Sequence, residues 1–345
     1  MATASSKGAR GAIPSPGRLI LDREAVRLAV LRAYHGFIRH RGIDSAAALS
    51  FFAALVVFPA ALSIVSAFAL LDDKTHAPAD ILRIVDLVAP REAVAALHGP
   101  VEQLLSIPSA GLGLGVGVAL TVWTLSGYVT AFGRAINTAY EVQEGRRWAP
   151  LRLRGLALSA VLVVVGAAIV ALIAGTPAVA GAVGRVAGLP SWVIDAWDIA
   201  KWPILAALAI LVVALLYYYA PNVRHLRIRW VTLGALLAIV VWVLATTGFA
   251  IYVLNFSHYN RVYGWLGGAV VLLLWLYLSN LVVVFGAETD AEIVRARQLL
   301  AGIDAQDAIQ LPVRGTRRIE TLDHWRVEDE RRGRALLARE KRGRR

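Results

Sequence analysis

The sequence predicts an all-α membrane protein, a polytopic bundle of six transmembrane helices with amphipathic helices at its interfaces. Three observations predict it. Of the 345 residues 58% are hydrophobic and only 17% charged, and the mean hydropathy of +0.61 lies well above that of a soluble domain. The charges crowd into the two ends and a few short loops, as they must where a charge at the bilayer centre costs several kcal/mol. Six apolar stretches, 45–71, 111–132, 155–175, 202–220, 231–254 and 265–287, are long enough to cross ~30 Å of hydrocarbon as helices. Backbone groups in lipid have to bond internally, and no ten-residue alternating segments suggest a barrel.

The loops give a topology. Lys and Arg number eight before the first span, three in the first connection, five in the second, two in the third, three in the fourth, one in the fifth and fourteen after the last span. Rich and poor loops alternate, so the positive-inside rule places both termini in the cytoplasm. Three regions follow: a basic segment, 1–44; a membrane domain, 45–295; and a charged tail, 296–345, expected to be partly disordered beyond about residue 301. Residues 1–44 contain no apolar core followed by a small-residue cleavage site, so no removable signal peptide is expected.

Between and before the spans lie three further segments. Residues 19–40 carry Val26, Val30, Ala33, Phe37 and Ile38 at helical spacing among arginines, which reads as a basic amphipathic helix on the inner surface. Residues 79–106 read as one or two amphipathic helices on the outer side. Residues 177–201, with Trp192 and Trp197, read as a segment packed at the outer interface.

Within the spans, polar and special residues are few. Asp44 stands where it would cap span one or face a site. Pro59 removes a backbone bond and is expected to kink that span. Gly111, Gly115, Gly113 and Gly117 form two overlapping small-xxx-small pairs for close helix packing. Arg134 and Asn137 lie a turn apart at the end of span two. Asn222 and Arg224 follow span four. Asn280 lies about two turns before Glu288, on roughly the same face of span six. The topology gathers Asp44, Arg134, Asn137, Asn222, Arg224 and Glu288 at the cytoplasmic ends. With Asn280 they are read as a polar pocket in which Glu288 approaches Arg134, or else as a structural latch.

The stretches DSAAALSFFAALVVFPAAL, AFGRAINTAYEV, YYYAPN, TLGALLAIVVWVLATTGFAIYV and YGWLGGAVVLLLWLYLSNLVVVFGAE together resemble the YihY/BrkB family of bacterial inner-membrane proteins over about residues 30–295. The resemblance implies a six-span membrane protein and brings no established reaction. The family has carried a "ribonuclease BN" label, read here as a misassignment. Some relatives are linked with serum resistance and with the lipopolysaccharide or lipid-export background. The resemblance marks Asp44, Pro59, Arg134, Asn137, Pro221, Tyr263, Gly264, Gly286 and Glu288 as residues of interest, without catalytic roles.

The function classes narrow accordingly. There is no cysteine, hence no thiol chemistry and no Cys-ligated metal. The seven histidines make no H-x-H or H-E-x-x-H group, and no P-loop or G-x-S-x-G is present. No metal or other cofactor and no enzyme activity are expected. The net charge of +12 is assigned to topology and anionic lipid headgroups at the cytoplasmic face rather than to nucleic acid. The expected function is transport or flipping of an envelope amphiphile such as an anionic lipid. The alternative is a scaffold for envelope biogenesis, with a homo-oligomer or an assembly partner left open.

Overall fold

The computed structural model describes residues 23–71, 109–175, 190–224, 233–255 and 265–344. The amphipathic helices expected over 79–106, and Tyr263 and Gly264, lie outside them. Eight helices are described: α1 (Arg23–Arg39), α2 (Gly42–Leu71), α3 (Ala110–Ala139), α4 (Trp148–Ala174), α5 (Ser191–Tyr219), α6 (Leu233–Asn255), α7 (Trp265–Leu300) and α8 (Arg317–Gly343). Five of them, α2, α3, α4, α5 and α7, are long and apolar enough to cross a membrane. In α6 the described apolar run is shorter, Ile239–Tyr252. The all-α polytopic bundle stands, and the count of six spans remains an expectation.

Order around the bundle follows the chain. α2 packs on α3, α3 on α4, α4 on α5, α5 on α6, α6 on α7, and α7 closes the ring on α2. The α2–α3 contact is the most extensive, and its cause is Gly113 and Gly117. A Cβ at Gly113 would lie 2.5 Å from Ser66 Oγ, and one at Gly117 2.9 Å from the Ser63 backbone nitrogen, so the backbones meet where side chains are absent. Gly111 and Gly115 have nothing within 4 Å. Of the two expected pairs, only 113/117 packs within this chain. α2 remains helical through Pro59, where the Ser63 hydroxyl donates to the Pro59 carbonyl at 2.8 Å.

Several helices outrun the expected spans. α4 starts at Trp148 rather than 155, because Pro150 falls in its first turn, where a missing N–H costs nothing. α5 begins at Ser191 and runs on through Pro203, so Trp192 and Trp197 belong to a helix rather than to a separate interfacial segment. α7 has 36 residues, about 54 Å at 1.5 Å per residue against ~30 Å of hydrocarbon, so its charged end projects past the apolar run. Gly302, at φ +74, closes α7, and the Ile303 N–H returns to the Gln298 carbonyl at 2.9 Å.

α1 runs antiparallel along the projecting end of α7 and buries Ala25, Ala29, Ala33, Gly36 and Phe37, so Ala33 and Phe37 of the expected apolar face pack inward. Val26, Val30 and Ile38 point outward. Close helix–helix contact selects the smallest side chains, whereas hydropathy alone selects valine and isoleucine.

The segment beyond residue 301 takes two forms. Residues 301–316 fold back and bond to the end of α5, with an isolated antiparallel bridge between Val223 and Val313. α8 has no buried residue. Its charge is laid out in i,i+4 ion pairs, Arg326–Glu330, Arg332–Glu328 and Arg344–Glu340, which support a helix that packing does not.

Candidate functional site

The acids that follow the apolar run of α7 are all engaged. Glu288 Oε1 shares a hydrogen bond of 2.9 Å with His40 Nδ1 at the end of α1. Glu292 is held from two sides, by Arg32 at 2.9 Å and by Arg295 at 3.1 Å. Asp290 accepts from the Tyr140 hydroxyl at 2.7 Å. Arg295, 1% exposed, also donates to the Ala305 carbonyl at 2.8 Å. Its Nη2 lies 2.9 Å from Glu141 Oε2, a charge contact whose angle is wrong for a hydrogen bond. Glu141 takes a bond of 3.1 Å from Arg39 as well. Glu141 sits at φ +55, the left-handed region, which costs a non-glycine residue about 1 kcal/mol. That strained turn aims its carboxylate between two arginines. Buried charges of this kind hold only when paired and bonded.

A second network joins three chain segments beside the first. Asn137 on α3 accepts the Asn222 backbone N–H at 2.7 Å and donates to Glu144 at 3.0 Å. The Asn222 amide donates to the carbonyls of Gln143 and Gly315, and its oxygen accepts the Gly315 N–H at 3.1 Å. Arg146 binds Glu144 through two nitrogens, at 2.8 and 2.7 Å, and donates to the Ala220 carbonyl at 2.7 Å. Arg314 donates to the carbonyls of Val223 and Tyr218. Burial alone would raise the Glu144 pKa, but the bonds from Arg146 and Asn137 outweigh it and hold the carboxyl below its usual range. Burial lowers Arg314. Together the two networks form a polar clasp that ties the ends of α1, α3, α5 and α7 to the returning segment 301–316.

A family model described as Virulence factor BrkB matches residues 33–308, four-fifths of the chain. The chain belongs to the BrkB family. It is 30% identical over 264 residues to a ribonuclease-like protein, YfkH, of Bacillus subtilis (strain 168), covering 75% of this chain and 93% of that one. It is 31% identical over 324 residues to a UPF0761 membrane protein of Alkalilimnicola ehrlichii, covering 86% of this chain and 64% of that one. A UPF0761 membrane protein of Aeromonas salmonicida is 45% identical over 83 residues, 24% of this chain and 28% of that one. No solved structure matches the chain. The BrkB match runs from α1 into the returning segment and stops before α8.

In this BrkB-family chain the residues singled out from the sequence divide into two groups. Asn137, Asn222 and Glu288 are buried in the clasp. Asn280 is buried deeper in the bundle, where it accepts from the Tyr128 hydroxyl at 2.8 Å and donates to Ser50 at 3.3 Å. Asp44, in the first turn of α2, and Arg134 are exposed and take no part in the clasp's ion pairs. Arg224 is exposed and joins through its backbone alone, its N–H donating to Pro312 at 2.8 Å. The expected Glu288–Arg134 pair is not formed, because His40 holds Glu288. At 100° per residue Arg134 falls about 170° from the middle of the buried face of α3. Tyr140 and Glu141, one turn past Asn137, are legible in the sequence as sharing its helix end; His40, Arg295 and Arg314 are not among the residues it singles out. Arg295 carried a signal, since it lies two turns from Glu288. His40 and Arg314 carried none, because their partners are far away in sequence. Among the described residues no group of three or more His, Asp or Glu could hold a metal ion.

Proposed function

We propose that the protein sits in the bacterial inner membrane, with both termini in the cytoplasm, and moves an envelope amphiphile such as an anionic lipid across it. The observation that carries this reading is an asymmetry of packing along the bundle. The main core, from Phe37 and Leu49 to Ala291 and Ile309, lies at the clasp end. Away from it, among the described residues, α4 buries nothing after Leu162, α5 nothing before Leu216, α7 nothing before Asn280, and α6 nothing between Ile239 and Tyr252. Beyond the Tyr128–Asn280–Ser50 chain, α2 and α3 stay closely packed through Gly113, Gly117 and the Ser63–Thr121 contact. A bundle shut at one end, with four of its helices burying little at the other, resembles one of the two states of a carrier.

The ribonuclease-like name of the Bacillus subtilis relative brings a nuclease reading. Hydrolysis of a phosphodiester by metal ions needs carboxylates free to ligate. The clasp carboxylates are instead bonded to arginine, tyrosine, asparagine and histidine, which favours the carrier. The scaffold reading is supported by α8, a 27-residue helix with no buried residue. Proteoliposomes with a quenchable anionic lipid probe separate the two. The carrier reading expects probe exchange faster than in empty vesicles, retained when residues 317–345 are deleted. Exchange no faster than in empty vesicles, with folded protein, refutes it.

A further inference from the structure

A cleft of about 550 Å³ lies where α8 begins against the start of α4, lined by Arg147, Arg317, Glu320, Thr321, His324 and Trp325. The geometry points to a binding site for the phosphate of an anionic glycerophospholipid, held between Arg147 and Arg317.

Three independent features support it. The first is charge. Arg147 and Arg317 are exposed, and no carboxylate pairs with either. Glu320, the acid in the cleft, is turned to the Thr316 hydroxyl at 2.8 Å. Two guanidinium groups with open donors suit a phosphate, which they can fork. The second is depth. Arg147 is the residue immediately before α4, one of the apolar helices. Trp148 beside it is 76% exposed. Tryptophan and arginine at a helix end mark the headgroup layer of a bilayer. The third is rigidity. α8 is anchored to the clasp where the Arg318 N–H donates to the Gly145 carbonyl at 3.0 Å, which sets Arg317 opposite Arg147. The first turn of α4 adds to this, since it has no side-chain cap and no acid, leaving its positive end uncompensated.

The depth decides between a lipid and a free phosphate. A cleft that opens beside Trp148 and the apolar flank of α4 lets the phosphate be bound while the acyl chains stay in hydrocarbon, and Trp325 offers an apolar wall for the glycerol. The site stands whether the lipid is cargo or a fixed annular partner, so it goes beyond the transport reading.

The test uses full-length protein in a neutral detergent, titrated with dioctanoyl phosphatidylglycerol, dioctanoyl phosphatidylcholine and inorganic phosphate, with bound ligand counted by native mass spectrometry. Phosphatidylglycerol binds in preference to phosphatidylcholine. R147Q/R317Q weakens it by about fivefold per arginine, on the order of 25-fold together, and leaves phosphatidylcholine unchanged. R326Q/R339Q removes the same charge from outside the cleft and leaves phosphatidylglycerol binding intact. Three results overturn the site: no preference for the anionic lipid; equal weakening in both double variants, which is general attraction to a basic protein; or full displacement by inorganic phosphate at matching concentration, which is a free-anion site. Binding is read without transport, so its failure leaves the carrier reading to its own assay.

Discussion

His40 Nδ1 and Glu288 Oε1 lie 2.9 Å apart and fasten the end of α1 to the projecting half of α7. Glu288 is 2% exposed, and its other oxygen has no hydrogen-bond partner. His40 is therefore the group that keeps this carboxylate satisfied. His40→Ala strands it and lowers stability by about 1–3 kcal/mol. Adding Glu288→Gln to the same chain recovers part of the loss. Thermal unfolding of the four proteins of this cycle in one detergent checks it, and losses that simply add would show that the two groups do not interact.

Asn222 ties three segments with one side chain, and Asn137 caps its backbone N–H. Asn137→Ala leaves that buried N–H without a partner, at a cost of about 1–3 kcal/mol. The loss appears as faster hydrogen exchange at 222–224 and 312–316, while the 113/117 contact between α2 and α3 keeps its protection.

The glycine pairs of α3 separate a packed face from an open one. Gly117→Leu forces a side chain into the Ser63 backbone and lowers stability by about 1–3 kcal/mol or prevents folding. Gly115→Leu meets open space and leaves unfolding unchanged within about 0.5 kcal/mol. Similar losses at both positions would point to a partner on the Gly115 face.

Glu144 gives the clasp an acid limit. Its folded pKa is held below the ordinary 4.5 by Arg146 and Asn137. A depressed carboxylate stabilises the fold above its unfolded pKa, and that contribution fades as the pH falls below 4.5 through the folded value. The wild-type unfolding temperature drops over that window. Glu144→Gln is less stable at neutral pH and loses this part of the drop.

The membrane fold was legible because hydropathy and loop charge act locally along the chain. The clasp was only half legible. Asn137, Asn222 and Glu288 stand out as polar residues at apolar ends, and all three are in it. Their partners follow from tertiary placement. His40 lies 248 residues from Glu288, and Arg314 reaches Tyr218 across 96, distances no periodicity reports. Arg134 was chosen for its nearness to Asn137 and faces away, since one turn at a helix end does not fix a shared face for a long side chain. Dense charge in the tail suggests disorder. Arg332 and Glu328, four residues apart, show the same charge laid out as helix-supporting pairs.

In the carrier proposed above, the clasp is the closed end and has to open for an amphiphile to pass. Val223 and Val313 face each other across the antiparallel bridge that fastens the returning segment to the end of α5. Bridged strand pairs lie within disulfide range, and the chain has no cysteine of its own. The direct measurement is anionic-lipid exchange in proteoliposomes carrying V223C/V313C, oxidised and then reduced. The account predicts arrest in the oxidised form and return to the wild-type rate on reduction. Equal exchange in both forms contradicts the opening of the clasp, and no exchange above empty vesicles in either form, with wild type equally inactive, contradicts the carrier.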